Sequence, residues 1–166
     1  SLPVRVVINL FTDLQERIAG RLMAEDYLAA NPAVKVCTEK DGDVGSAIDR
    51  GLKGNGLALV VMTPRVARRE NLKDGLAVTV LVGVAENPMV NRGPTGTRKS
   101  ANDVALVVMS ALWDWTPSGA WAPLDFVDRT TDESTVDLVA YAVRFETWIC
   151  VEPTQETETA TQAVIS

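Results

Sequence analysis

The residues whose spacing could do chemistry lie in Gly93-Pro-Thr-Gly-Thr-Arg-Lys-Ser100. The segment falls between a strand candidate and a helix candidate and ends in Lys-Ser. A phosphate-binding loop offers backbone N–H groups, an ammonium and a magnesium-ligating hydroxyl in that order. Such a loop needs glycine immediately before the lysine, so that the backbone can wrap the phosphates. Arg98 stands there instead. The lead-in from the preceding strand is also too long, and no second strand ends in a suitable aspartate for magnesium. The other role for these residues is structural: Thr97 or Ser100 caps the next helix and the glycines permit turns. Arg98 and Lys99 then sit near the positive end of a helix, which is unfavourable unless something acidic meets them, such as a neighbouring subunit.

Other chemistries fare worse. The chain contains no histidine and two cysteines, Cys37 and Cys150. Ser-His-Asp and Cys-His catalysis as usually built are excluded, and the commonest zinc ligand is missing. Both cysteines read as buried free thiols, and a Cys37–Cys150 bridge would need their strands to be neighbours. Asp41-Gly-Asp43 with Asp49 fails as a calcium loop, because Gly45 and Leu52 fall where ligands are required. A turn with Asp43 as helix cap is expected there. Asp125, Asp128, Asp132 and Glu133 could pair as acid and base, but nothing in the pattern gathers two of them in a pocket. No catalytic residue, metal or cofactor is expected, and the protein is not expected to be an enzyme.

That leaves contact surfaces. Arg65, Arg68, Arg69 and Lys73 form a basic cluster in a net acidic chain of charge −6, where a protein contact or solvation is the natural reading. The acidic balance argues against duplex nucleic acid as a bound ligand. Trp121 in a loop and Trp148 on the polar side of its strand have the character of interface aromatics. Asn91, Arg92, Arg98 and Lys99 complete the candidate set.

The elements that must position these groups are legible in the periodicity. One helix is expected from Leu10 to about Ala30, ended by Asn31-Pro32. A short strand over Ala33–Thr38 and a helix over Val44–Lys53 follow. Leu57–Thr63 and Leu76–Ala85 read as strands joined by a long charged hairpin loop, 65–74. Val78, Val80, Val82 and Val84 share one face of a central strand. A helix over 101–115 is apolar on two sides: Val104, Ala105, Val108 and Leu112 on one, Leu106, Met109 and Trp113 on the other. The second side would meet another helix or another subunit. A strand over 124–130, a turn at 131–134 and an alternating strand over 138–150 close the fold. The sum is a single α+β domain over 1–151, with a mainly antiparallel or mixed sheet and helices packed on one face. Residues 152–166 read as a polar, acidic tail. No run is long enough for a membrane span, and the first residues lack a signal-peptide pattern.

The order of elements resembles the tail-terminator, or tail-completion, proteins of long-tailed bacteriophages. The resemblance covers most of residues 10–150. It is carried by the helix–strand–helix start and the long hairpin Leu57–Ala85. It also rests on the loop Glu86-Asn-Pro…Asn91-Arg92…Gly96-Thr97 leading to Leu112-Trp-Asp-Trp115, and on the late hairpin ending in Tyr141-Ala-Val-Arg-Phe-Glu-Thr147. It implies a structural virion protein at the head-proximal end of the tail, assembled in the host cytoplasm. The implied partners are further copies of itself in a hexameric ring, the tail-tube protein, a neck or head-completion protein and, where present, a sheath. The ring would stop tube growth and join head to tail while genomic DNA passes the lumen without specific binding. Loop 65–73 would be a ring or tube contact and loop 86–100 a subunit contact. A different head–tail connector, or a small nucleotide-binding enzyme using 93–100, are the alternatives.

Overall fold

Alternating valines make the centre of the molecule. In a computed structural model that describes residues 4–5, 9–71, 74–135 and 137–152, strand β4 (Gly75–Glu86) buries Val78, Val80, Val82 and Val84 to 1% exposure or less. β4 is flanked by two antiparallel partners, β3 (Leu57–Arg68) and β6 (Val139–Glu152). Beyond β6 lies β5 (Asp125–Ser134), antiparallel to it, and beyond β3 lies β2 (Lys35–Cys37), parallel to it. The order is therefore β5-β6-β4-β3-β2, with β1 (Val4–Arg5) parallel to the end of β6 at Val151 and Glu152. The sheet is mixed and the class is α+β.

Two helices cover the valine face. α1 (Leu10–Met23) buries Leu14, Ile18, Ala19 and Leu22, and α5 (Ala101–Leu112) buries Val104, Ala105, Val108 and Leu112. They close on Leu57, Leu59, Val61, Phe145 and Ile149 from the sheet in one core. Gln15 is fully buried but satisfied: its Nε2 donates to Thr63 Oγ1 at 3.0 Å and its Oε1 accepts from the Glu39 N–H at 3.2 Å. A buried amide without these partners would be costly. The shorter α3 (Val44–Gly54) lies on the opposite face at the β2–β3 end, where Gly51 sits directly over Ala58. Asp43 caps α3 by accepting from the Ser46 N–H, and the Ser46 hydroxyl and N–H hold its carboxyl below the ordinary range.

Five expectations shift, each for a local reason. The long first helix breaks at Glu25, which is extended and whose carboxylate accepts from the Tyr27 and Leu28 N–H groups, starting a new helix α2 (Asp26–Ala30). The hairpin loop 65–74 is mostly strand: a bulge absorbs Thr63 and Pro64, and Arg65–Arg68 pair with Leu76–Thr79. A bulge is where a strand tolerates proline's missing N–H. α5 ends at Leu112 rather than 115, because Trp113 is extended and Asp114 adopts a positive φ of 58°. Residues 131–134, expected as a turn, continue β5 to Ser134. The loop between β4 and α5 also contains a turn of helix, α4 (Pro88–Asn91). The tail beyond Glu152 lies outside the described residues.

Strand order settles the cysteines. β2 and β6 are separated by β3 and β4, and the register aligns Cys37 with Ala142 rather than Cys150. The two cysteines are therefore offset by about 14 Å across the sheet and further still along it, beyond disulfide reach. Both are buried free thiols. Burial pushes the Cys37 thiol up, and the nearby Asp41 carboxylate adds to this. A maleimide titration of the native protein at neutral pH is expected to label neither cysteine within minutes, and both after denaturation. Rapid native labelling of Cys37 would contradict this placement of β2.

Candidate interaction surfaces

Loop 86–100 is built around one amide. Asn91 is 1% exposed, and its Nδ2 donates to Glu86 Oε2 at 2.7 Å and to the Lys99 carbonyl at 2.8 Å. Its Oδ1 accepts from the Thr97 N–H at 2.9 Å and from the Thr97 hydroxyl at 2.6 Å. The Arg98 N–H donates to the Asn91 carbonyl at 3.0 Å. Glu86, 5% exposed, uses its other oxygen to accept from the Ala101 N–H at 3.0 Å in the first turn of α5. A carboxylate there meets the positive end of the helix. Two glycines admit this packing: a Cβ on Gly56 would lie 2.3 Å from the Asn91 nitrogen, and one on Gly96 would lie 1.8 Å from its carbonyl oxygen.

This geometry bears directly on the phosphate-loop motif. The N–H groups of Thr97, Arg98 and Ala101 are engaged by Asn91 and Glu86. Ser100 Oγ accepts from the Asp103 N–H as the α5 cap. The amides that would cradle a phosphate thus close the loop on itself. Lys99 turns toward α2, its Nζ 4.7 Å from the Tyr27 ring centroid. Burial raises the Tyr27 phenol above its ordinary range, and the Glu86 charge adds to that. Glu86 spends both oxygens on Asn91 and the Ala101 N–H, and among the described residues it forms no ion pair with Arg98 or Lys99. Arg92 and Arg98 are exposed and remain available as contacts. Asn91 does not: a buried amide with both ends bonded organises the loop and has no face to offer a partner.

The basic cluster of the hairpin is divided by the pleat. Arg65 pairs with Thr79 and points to the sheet face away from α1 and α5, whereas Arg68 pairs with Leu76 on the helix-covered side. Both are exposed. Arg69 lies over the Trp148 ring at 4.3 Å, which fixes both side chains. Lys73 lies outside the described residues.

The aromatic candidates also separate. Trp148 is half-buried on the open face. Trp121 is 4% exposed and belongs to the core, because residue 121 forms an isolated bridge to Ile149 and is drawn under the sheet edge. It is not an interface residue of the folded chain. The exposed aromatic is Trp113, 54% exposed and tilted against Phe126 at 5.3 Å, beside Leu106 at 61%. The second apolar stripe of α5 carried that signal: Leu106 and Trp113 remain exposed, while Met109 packs partly against the core.

The sheet face opposite α1 and α5 is the largest open feature. Register places Met62, Leu81 and Arg144 in one row, Ala67, Ala77 and Trp148 in another, and Gly83 beside Ala142 in a third. A row between them runs Arg65, Thr79, Glu146 and Asp125. The surface is flat and apolar at its centre. It is basic on the β3 side and acidic on the β5 side, where Asp128 also pairs loosely with Arg144 at 3.7 Å. Among the described residues no group of acidic residues and cysteines is placed to hold a metal.

Asn91→Ala should lower unfolding free energy by about 3 kcal/mol, since several buried partners lose their bonds. Asn91→Asp should do no better despite its shape, because it sets a second carboxylate against Glu86. Urea unfolding measures both, and an effect below about 0.5 kcal/mol, the scale of an ordinary surface substitution, would show that the network does not hold the loop. No protein-family model matches this chain, and no curated protein matches it.

Proposed function

We propose that the protein is a structural assembly subunit of the phage tail-terminator kind. Copies join in a ring, the ring caps a tail tube and stops its growth, and its other side receives the head-side connector. DNA passes through the centre. The observation that carries this reading is the two-sided sheet: α1 and α5 cover one face, while Met62, Ala77, Leu81 and Gly83 on the other remain partly exposed. A flat face of this composition suits a large partner surface better than a small molecule. The basic hairpin supplies a second contact, with Arg65 exposed on the open face and Arg68 exposed on the helix-covered side. A net charge of −6 suits a lumen that must not retain DNA, because like charges repel a polyanion. The resemblance in element order names the kind of ring.

Mass-resolved chromatography and negative-stain imaging, with and without purified tail tubes, test this. Hexameric rings in solution, or a monomer that forms a ring on the tube end and halts its elongation, are the expected results. A protein that stays monomeric or dimeric at high concentration and ignores tail tubes would overturn the proposal.

A further inference from the structure

The two edges of the sheet differ in charge. β2 runs beside only Ala58–Val60 of β3. From Val61 to Arg68 the outer side of β3 therefore has no strand neighbour among the described residues. That free edge carries Arg65 and Arg68, both exposed, and neither forms an ion pair among the described residues. At the other end of the sheet β5 presents the exposed Asp125, Asp128 and Asp132. Asp125 stands directly opposite Glu146 on β6. Both are exposed, and neither has a cationic partner among the described residues. Like charges directly opposite one another destabilise a sheet. Such a pair is maintained at a cost unless a cation completes it.

We infer that the cation is Arg65 of a second copy of this chain, brought by the free edge of β3 to the outer edge of β5. Arg65, Asp125 and Glu146 project from the same sheet face. Edges set side by side would therefore place the guanidinium beside Asp125, with Glu146 one strand further in. The charge pattern also selects the symmetry. A two-fold pairing of like edges would set Arg65 and Arg68 against themselves, or Asp125 and Asp128 against themselves. Only a head-to-tail contact joins basic to acidic, and head-to-tail contacts close into rings when the rotation permits. This inference rests on the ring reading and names the contact that builds it.

Charge exchange tests it. Arg65→Glu and Asp125→Arg are surface substitutions and should leave the thermal unfolding profile close to that of the parent. Each alone should weaken self-association by about tenfold or more, because like charges then face across the joint. An equimolar mixture of the two chains should recover assembly, since each joint again pairs opposite charges, and rings in the mixture should contain both chains in equal number. Parent rings that persist unchanged in either variant, or variants that fail singly and are not rescued by mixing, overturn this contact and leave the ring reading standing. A parent chain that forms no ring, alone or on tail tubes, overturns both.

Discussion

A buried carboxylate and a buried amide hold the architecture in register. Glu86 ends β4, Asn91 ends α4, and the bonds between them and to Ala101 fix where α5 begins. The same cluster reaches β3, since the Asn87 N–H donates to the Gly56 carbonyl and Gly56 packs against Asn91. Moving an ion from water to a protein interior costs several kcal/mol. Here the cost is offset by two short hydrogen bonds and by the N-terminus of a helix. Such a network is stable only when every member is satisfied. It therefore permits one path for the loop, and so one placement of α5 over the valine face.

From that placement the division of the molecule follows. α5 lies close against β4 and β6, α1 leans on α5 and β3, and Arg21 ties the two helices by donating to the Ala111 carbonyl at 3.1 Å. α1 and α5 use up one face of the sheet, and α3 covers the β2–β3 end of the other. What they leave is the rest of that opposite face, the outer stripe of α5 and the two strand edges. These are the regions where apolar or charged groups lack internal partners, so they are where recognition has to occur if the chain assembles.

Sequence patterns revealed elements better than surfaces. The caps at Asp43 and Ser100, the valine alternation of β4 and the apolar face of α5 are local signals, and each appears in the structure where its spacing indicates. The break at Glu25 was hidden because Ala29 keeps the helical period of Leu14, Ile18 and Leu22 across it. The extension of β3 past Pro64 was hidden because a bulge restores pairing that proline would otherwise end. Surfaces depend on partners distant in sequence. Trp121 is buried by Ile149, far along the chain, whereas Asn91 is buried by Glu86 and Lys99 of its own loop, whose path the pattern of residues does not reveal. Conversely, the charge asymmetry of the sheet edges emerges only once β3 and β5 are known to lie on opposite sides.

Composition of the open face is compatible with the proposed assembly. A face of leucines and phenylalanines would aggregate through non-specific burial. Here Met62 and Leu81 are the large apolar groups of the central rows, which are otherwise filled largely by Ala67, Ala77, Gly83, Ala85, Ala140 and Ala142. Small side chains expose little apolar area, so a free copy loses little by remaining in water. They also leave the surface flat, so an approaching partner can come close to the backbone over a wide area. Aromatic and charged groups stand at the margins, Trp148 beside Arg69 and Asp128 near Arg144. Affinity on such a surface comes from extended close contact and matched charges rather than from one deep anchor. Weak individual joints of that kind are what a closed ring requires, because ring closure multiplies them and a free pair does not.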